Sequence, residues 1–332
     1  MIVSVMYSHI LLQVKSLESF NYCSPFARGS IIVLFMERLY LFLLLALLSS
    51  GIKAQSLAQR LDSLLFNDPM MKTSEVGISV FDLTTGEQLF QYQDEKLYRP
   101  ASTEKVVTSV SALATLGTDY TMNTRLQYTG KIENDTLKGN LYLVGGFDPE
   151  FMDEDLDSLV DIIAQSGIRY IADTLAADVS MTDSIYWGTG WSWDDVPASF
   201  QPYMSPLMLN RGCVDVTVIP TQKDSLPQVI CVPASDYYQV DNDGVSNNSQ
   251  AGRLQITRNW LHHGNLIHIS GNVTKETTRT LSIYNSKEFF FQTFSNRLKA
   301  KGIGFNQTAF ADCPENDSLT VVTPLFTLER PI

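Results

Sequence analysis

The sequence predicts an α/β fold interrupted by a large strand-rich insertion, and three observations support this prediction. Alternating apolar residues from about position 76 are followed by an apolar segment with helical periodicity. Short strand-like segments separated by turns then fill residues 124–275. A helix and a further strand follow in residues 276–332, where we expect a partial return to the α/β fold that begins in residues 55–123. A chain of 332 residues is long enough for one domain that carries such an insertion.

Composition and charge limit the classes of function. Apolar residues make up 44% of the chain, which is enough to bury a sizeable core and argues against extensive disorder. The 24 basic and 36 acidic residues give a net charge of −12. Nucleic acid is therefore excluded as an expected partner, because it is bound chiefly through Lys and Arg contacts to phosphate.

The N-terminal region predicts export to the periplasm or cell envelope. Residues 39–48 (LYLFLLLALL) form an unbroken apolar run that has the length of a signal-peptide core and is too short to span a bilayer. Met36 and a charged dipeptide precede this run, and a cleavage point follows Ala54, so residues 36–54 are predicted to be a signal peptide. Residues 1–35 are expected to be a spurious upstream extension, and an extended anchor is the alternative.

The first segment of the mature chain predicts a strand pair and a buried helix. Val76, Ile78 and Val80 alternate, residues 84–86 (TTG) turn the chain, and residues 87–92 return it. A helix with a 3.6-residue period then ends at Gly117. Its apolar positions predict that it is largely buried: Val106, Val107, Val110, Leu113, Ala114 and Leu116.

The insertion is predicted to contain short strands and one helix. Residues 126–128 and 137–144 are strand-like, and residues 145–149 (GGFDP) form a turn. The helix spans residues 156–167, and the acids of residues 153–157 suit its N-terminus, with a cation site as the alternative.

Two further strands of the insertion carry cysteines. Residues 213–219 and 228–232 would form a hairpin that brings Cys213 and Cys231 roughly opposite each other. A disulfide between them is possible, and two inert buried thiols are the default. Residues 241–250 (DNDGVSNNSQ) are the most loop-like stretch of the sequence. Beyond the insertion, residues 287–301 predict a helix with an apolar side, and residues 318–322 predict a last strand.

Ser102 and Lys105 form the sharpest chemical motif, at the start of the apolar helix. A spacing of three places both side chains on one helix face, within reach of each other and near the positive end of the helix dipole. Lys105 could take the hydroxyl proton of Ser102 if the amine is held neutral. Ser102 is thus the predicted nucleophile and Lys105 the general base, and an N-cap serine followed by a solvated lysine is the alternative.

Other polar and aromatic residues give weaker signals. His262, His263 and His268 lie close together, but no acid or cysteine stands beside them at ligand spacing, so strand histidines are favoured and no metal site is predicted. No cofactor is implied either. Trp187, Trp191 and Trp193 could line a sugar or peptide groove, although aromatics flanked by glycines more often anchor a loop by packing.

The motifs together resemble the class C low-molecular-mass penicillin-binding proteins, which are D-alanyl-D-alanine carboxypeptidases and endopeptidases. The resemblance covers nearly all of the mature chain. It is carried by residues 99–105 (RPASTEK), 112–117 (ALATLG), 141–149 (LYLVGGFDP), 190–195 (GWSWDD), 205–217 (SPLMLNRGCVDVT) and 286–291 (SKEFFF).

The resemblance implies a penicillin-recognising, β-lactamase/transpeptidase-like domain with a large insertion. By this resemblance, Ser102 would attack the D-Ala-D-Ala carbonyl of a peptidoglycan stem peptide and form an acyl-enzyme that water hydrolyses. β-Lactams would acylate the same residue. The backbone N–H of Ser102 would form half of the oxyanion hole. Asp178 is expected, by resemblance, to face the cleft and meet the amino end of the stem peptide, with a turn-forming aspartate as the alternative.

Two motifs of that family lie towards its C-terminal end. The Lys-Thr-Gly motif is absent from this sequence, and residues 246–248 (SNN) fit the Ser-x-Asn pattern only formally, inside the loop-like stretch. The chain is therefore expected to be cut short and to be inactive or a poor enzyme as given. The alternatives to the peptidase are a β-lactamase or esterase, and a non-catalytic peptidoglycan-binding or interaction protein of the same fold. The sequence leaves the oligomeric state open.

Overall fold

A computed structural model describes residues 36–42 and 55–332 of the chain. Residues 36–42, at the start of the predicted signal peptide, are helical and exposed. Residues 1–35 and 43–54, including the predicted cleavage point, lie outside the described residues. Among the helices of the described ranges, none has the length and hydrophobicity needed to cross a membrane. The chain divides into two compact units, residues 1–104 and residues 105–332.

The described part of the first unit contains two helices and a hairpin. Helices α1 (Leu57–Asn67) and α2 (Pro69–Thr73) precede the antiparallel strands β1 (Ile78–Phe81) and β2 (Gln88–Tyr92). Ser56 caps α1, since its hydroxyl accepts from the backbone N–H of Gln59 at 3.2 Å while the Gln59 side chain accepts from the N–H of Ser56 at 3.0 Å. The predicted strand pair is confirmed.

Helix α3 (Glu104–Leu116) ends before Gly117, as predicted, but it is not buried. Val106 is 65% exposed, and the apolar residues at positions 107, 110, 113 and 116 are also exposed. The prediction of a largely buried helix is therefore wrong for the described structure. The physical reason is that apolar periodicity tells which residues share a helix face, whereas burial depends on another element that covers this face.

The second unit is built around a seven-stranded mixed sheet. Strand β7 (Tyr170–Asp178) pairs in parallel with β6 (Leu141–Val144), with β5 (Thr136–Lys138) and with β14 (Gly304–Phe310). Strand β3 (Thr121–Thr129) joins β6 to β15 (Val322–Pro331) in antiparallel pairs, and β4 (Lys131–Glu133) pairs with β5. Residues 121–178 and 304–331 therefore share one sheet, across the domain boundary predicted after residue 275.

Burial of β6 explains the continuous apolar run of its sequence. The strand lies between β3 and β7, and all four residues of Leu141–Val144 are buried. The strand predicted for residues 137–144 is divided at Gly139. A Cβ at Gly139 would lie 1.9 Å from the carbonyl oxygen of Thr129, so only glycine fits where these backbones meet.

Two helices pack together with the sheet in one core. Helix α4 (Asp153–Gln165) follows the turn at residues 145–149, and α5 (Ser286–Ala300) precedes β14. Both helices were predicted, and the acids of residues 153–155 lie in the first turn of α4 as expected. The buried side of α5 contains five large apolar residues, which join one cluster with residues of α4 and the sheet: Phe289, Phe290, Phe291, Phe294 and Leu298.

Two three-stranded sheets complete the second unit. In one, β8 (Cys213–Ile219) pairs antiparallel with β9 (Gln228–Val232) and β13 (Thr277–Ser282). In the other, β12 (Leu266–Val273) pairs in parallel with β10 (Gln239–Ser246) and antiparallel with β11 (Gln255–Arg258). The loop predicted for residues 241–250 is thus wrong over most of its length, because β12 supplies backbone partners to a polar strand. The last strand runs from residue 322, later than predicted.

Candidate active site

Ser102 lies in a short 3₁₀ helix, Ala101–Thr103, that leads into α3. Backbone bonds fix this segment: the N–H of Thr103 donates to the carbonyl of Pro100 at 3.0 Å, and the Thr103 hydroxyl donates to the same oxygen. The N–H of Glu104 donates to the carbonyls of Ala101 and Ser102. Ala101 has a φ of +45°, a left-handed conformation that costs energy for a residue with a Cβ and that clusters at functional sites.

The side chains of Ser102 and Lys105 are both exposed. Lys105 is the second residue of α3. Within the described ranges, neither side chain takes part in a hydrogen bond or ion pair. The hydroxyl of Ser102 is therefore accessible and uncommitted, as a nucleophile requires, and its hydrogen bond to Lys105 stays a prediction from the helical spacing.

Asp178 ends strand β7 and is only 4% exposed. One carboxylate oxygen accepts from the N–H of Ser180 at 2.8 Å, and the other accepts from the N–H of Cys313 at 2.7 Å. The Asp178 carbonyl also accepts from the N–H of Gly145 at 2.9 Å. The carboxylate thus ties together the chain segments that follow β7 and β14, and a direct contact with substrate stays a prediction.

The loop that follows Asp178 lines a cavity of about 240 Å³ with both polar and apolar walls. Asp183 lies on this cavity with an exposed side chain, and Lys287 and Asp312 also line it. The Oδ1 atom of Asp183 accepts from the N–H of Ile185 at 2.9 Å, which leaves its other oxygen open to solvent. Asp183 was not predicted from the sequence. The signal that could have identified it is its position in the same loop, five residues after Asp178.

Residues 246–248, which fit the Ser-x-Asn pattern formally, have structural roles. Ser246 is fully buried at the end of β10, where its hydroxyl accepts from the N–H of Thr221 at 3.0 Å. Asn248 caps the 3₁₀ helix Ser249–Ala251, because its side chain accepts from the N–H of Gln250. Since both side chains are committed to local backbone groups, this match offers no proton relay.

The acids at the start of α4 are paired with arginines. Arg297 of α5 bonds to Asp153 and reaches Asp157 at 2.8 Å, while Arg330 of β15 reaches Asp155 at 2.7 Å. Arg330 also contacts the buried Asp148 at 3.1 Å. The acidic cluster is therefore neutralised by basic side chains, which is a structural use of these carboxylates rather than a cation site.

The histidines do not converge on a metal. Across the described ranges, no group of three His, Cys, Asp or Glu residues is placed to hold an ion. His268 of β12 contacts Asp241 of the neighbouring strand, with 3.0 Å between Nδ1 and Oδ2. His262 and His263 lie at the end of the 3₁₀ helix Trp260–His262 and not in a strand, because β11 ends at Arg258.

The three cysteines of the described residues are free thiols, so the possible disulfide between Cys213 and Cys231 is not formed. The hairpin itself was predicted correctly, but in its register Cys231 lies opposite Val216. An offset of three residues separates the two cysteines by about 10 Å along the strands and places them on opposite faces. A disulfide requires Cα atoms within about 7 Å.

Burial makes two of these thiols poor nucleophiles. It raises the pKa of Cys213 to about 12 and that of Cys313 to about 11. Burial also raises the pKa of Cys231. Because the thiolate is the reactive form, none of these cysteines is a strong alternative to the predicted nucleophile Ser102.

Comparison with known protein families places the chain in a family of D-Ala-D-Ala carboxypeptidases. The profile described as the D-Ala-D-Ala carboxypeptidase 3 (S13) family matches residues 57–322. A D-alanyl-D-alanine carboxypeptidase of Actinomadura sp. (strain R39) is 30% identical over 217 residues, which cover 63% of this chain and 40% of that protein. The D-alanyl-D-alanine carboxypeptidase DacB of Haemophilus influenzae is 25% identical over 237 residues, which cover 70% of this chain and 49% of that protein.

A solved structure shows the same fold. The crystal structure of penicillin binding protein 4 from Haemophilus influenzae superposes with a TM-score of 0.62 at 21% identity, covering 76% of this chain and 56% of that chain. The predicted α/β fold class of the penicillin-recognising proteins is thereby confirmed. The chain spans about half the length of the relatives that it matches.

Proposed function

Because this chain belongs to the D-Ala-D-Ala carboxypeptidase 3 (S13) family, we propose that it serves as a serine-type D-Ala-D-Ala carboxypeptidase or endopeptidase acting on peptidoglycan stem peptides. The family match carries this proposal, since it extends over residues 57–322 and includes the Ser102–Lys105 motif. The accessible, uncommitted hydroxyl of Ser102 supports it.

We propose that Ser102 forms the acyl-enzyme. Its Oγ attacks the carbonyl carbon of the penultimate D-Ala, and the amine of Lys105 takes the hydroxyl proton. The C–N bond to the terminal D-Ala then breaks, and the leaving amine receives a proton. Water next attacks the ester carbonyl and returns the hydroxyl of Ser102. Backbone N–H groups at the start of a helix lack intrahelical acceptors, which suits the N–H of Ser102 to the developing oxyanion.

The substrate's free amino group would meet an acid on the loop after β7. The two oxygens of Asp178 already accept backbone N–H groups, so we propose that Asp178 supports binding by holding this loop in place. Asp183, exposed on the cavity of about 240 Å³, then offers the carboxylate that a cationic amine requires. Exchange of Asp183 for Asn should raise KM for a diamino-acid stem peptide with little change in kcat.

We also propose that the protein is exported to the cell envelope and reacts covalently with β-lactams. The apolar run at residues 39–48 supports export. The penicillin binding protein 4 of Haemophilus influenzae has a solved complex with a β-lactam, which supports reaction of the same class of compound with Ser102.

Fluorescent penicillin tests the nucleophile directly. We expect the gene product to form a covalent fluorescent band that is lost in Ser102→Ala and reduced by about 10²–10⁴ in rate in Lys105→Ala, since general-base catalysis contributes this much. Ser109→Ala, a change on the same helix outside the motif, is the matched control and should label normally. Labelling that persists in Ser102→Ala would show that the nucleophile lies elsewhere.

A second measurement separates an enzyme from a non-catalytic peptidoglycan-binding protein. Release of D-Ala from a stem pentapeptide should be detectable with the unaltered gene product and absent in Ser102→Ala. Peptidoglycan binding without penicillin labelling or D-Ala release would instead identify a binding protein of the same fold.

A further inference from the structure

A second cavity of the 105–332 unit is lined almost entirely by aromatic and apolar side chains. It has a volume of about 540 Å³ and lies between the loop that follows β7 and the segment that follows β11. The loop contributes Tyr186, Trp187 and Trp193, and the segment contributes Trp260 and His263. Among the described residues that line the cavity there is no Asp, Glu, Lys or Arg.

The floor of this aromatic cavity is held rigidly. Tyr203 is almost fully buried, and its ring packs against Trp187 at 5.3 Å and against Tyr284 at 5.1 Å between centroids. The guanidinium of Arg258, itself 1% exposed, lies 5.9 Å from the Tyr203 ring and donates to the carbonyls of Ser282 and Gly264. Such a network keeps the aromatic rings in place before any ligand binds.

The rim of the cavity differs from its floor because it is exposed. Trp193 is 67% exposed and stacks on Trp260, with 5.3 Å between ring centroids and 34° between planes. Across the described ranges, the indole N–H groups of Trp193 and Trp260 have no hydrogen-bond acceptor. An aromatic side chain that anchors a loop by packing is buried. Trp187 is partly buried where its ring meets that of Trp191, with 5.5 Å between centroids, whereas Trp193 is exposed and does not anchor the loop in this way.

The exposed indole of Trp193 and the half-buried indole of Trp260, both with free N–H donors, have a defined binding chemistry. The face of an indole accepts the C–H face of a pyranose ring, and the N–H can donate to a hydroxyl or acetamido oxygen. The uncharged lining disfavours a charged ligand, because a charge that enters an apolar pocket without a partner loses its hydration. A neutral sugar with a C–H face and acceptor oxygens fits both requirements.

We propose that this aromatic cavity binds an N-acetylated glycan chain, with one pyranose ring placed against Trp193 and Trp260. The inference rests on the proposed function, in which the substrate is a stem peptide carried by such a glycan. The cavity thereby provides a second contact with the polymer, in addition to the peptide contacts. It makes the protein prefer polymeric substrate to free stem peptide, because two linked contacts raise the effective local concentration.

Binding of an N-acetylglucosamine tetramer, measured by calorimetry and tryptophan fluorescence, tests the proposal. We expect the unaltered chain to bind the tetramer and Trp193→Ala and Trp260→Ala each to weaken it about tenfold, the change that corresponds to losing about 1.4 kcal/mol of binding free energy. Trp193 is largely exposed, so its exchange leaves the fold intact. Phe200→Ala is the matched control, because Phe200 is 74% exposed and does not line the cavity.

Three outcomes would overturn the proposal: no binding of the tetramer at millimolar concentration, equal binding by Trp193→Ala and the unaltered chain, or binding of tetramethylammonium with no binding of the tetramer. The last would identify a cation site. Penicillin labelling of Ser102 is measured in parallel on the gene product used in the labelling test above. Normal labelling without sugar binding rejects the glycan site alone, whereas sugar binding without labelling of this gene product rejects the peptidase alone.

Discussion

At the scale of single residues, burial and hydrogen bonding decide what a side chain can do. Asp178 and Asp183 are both acids of one chain segment, yet only Asp178 is buried with both oxygens accepting backbone N–H groups. Cys213 is buried and carries a thiol with a raised pKa. Ser102 and Lys105 are exposed and uncommitted, so they remain available for chemistry.

Asp178→Ala should destabilise the protein. The substitution removes a buried carboxylate that accepts the backbone N–H groups of Ser180 and Cys313, and we expect it to lower the free energy of unfolding by about 1–3 kcal/mol in urea denaturation. Asp183→Ala serves as the control and should change stability by less than about 0.5 kcal/mol, because this side chain is exposed. Equal effects of the two substitutions would contradict the structural role of Asp178.

Cys213 should make the protein less stable at alkaline pH. Its thiol stays protonated in the folded state until about pH 12, whereas an unfolded thiol loses its proton near pH 8.5. The folded state therefore binds more protons between these values, and stability is full below pH 8.5 and falls as pH rises, by at most about 1.4 kcal/mol per pH unit.

This pH dependence is measured as the urea midpoint at pH 8 and pH 10. The urea midpoint of Cys213→Ala should differ less between pH 8 and pH 10 than that of the unaltered chain, because all other groups titrate alike in the two proteins. An unchanged difference would show that Cys213 does not titrate as its burial predicts.

At the scale of secondary structure, charge pairs join α4 and α5. Arg297 of α5 is largely buried and contacts Asp153 and Asp157 of α4, and the more exposed Lys301 contacts Asp161 at 2.5 Å. The sequence predicted both helices but not their pairing, because residues 153 and 297 meet only when the core forms. The acids that suit the N-terminus of α4 also bind the neighbouring helix.

Arg297→Met, compared with Lys301→Met, should distinguish a largely buried ion pair from an exposed one. This change keeps the apolar stem but leaves Asp153 without its partner, and we expect a loss of about 1–3 kcal/mol of unfolding free energy. Lys301→Met removes an exposed pair and should cost about 0–1 kcal/mol. Thermal or urea unfolding of both variants measures the contrast, and a larger loss in Lys301→Met would be inconsistent with it.

At the scale of the whole molecule, the 105–332 unit depends on the centre of its mixed sheet. Strands β3, β6 and β7 lie side by side between β15 and β14, which come from the C-terminal part of the unit and bring residues 121–178 and 304–331 together. Leu143 of β6 is fully buried in the core that connects this sheet to both helices. Loss of packing at this position should therefore affect the entire unit.

Leu143→Ala is expected to lower the free energy of unfolding by about 2–5 kcal/mol, because the cavity left in a central strand cannot collapse fully. Leu319→Ala removes the same atoms from a side chain that is 92% exposed and should have little effect. Urea denaturation followed by circular dichroism compares the two. A small effect of Leu143→Ala would place the stabilising core elsewhere.

The sequence alone determined the local features of this protein. Periodicity of two and of 3.6 residues identified the β1–β2 pair and helices α3, α4 and α5, because these patterns arise from bonds between near neighbours in the chain. The Ser102–Lys105 spacing, together with motifs spread over nearly all of the mature chain, also carried the resemblance to the penicillin-binding peptidase family. None of these inferences required knowledge of a distant contact.

Only the tertiary structure decided what lies beside each element. It left the apolar face of α3 exposed, paired polar β10 with β12, set Cys231 opposite Val216, and committed the carboxylate of Asp178 to the N–H of Cys313. Each of these depends on residues far apart in sequence, whose meeting is fixed by strand register and core packing together. Local propensity carries no information about such pairs, so the sequence could predict candidate reactive groups but not their surroundings.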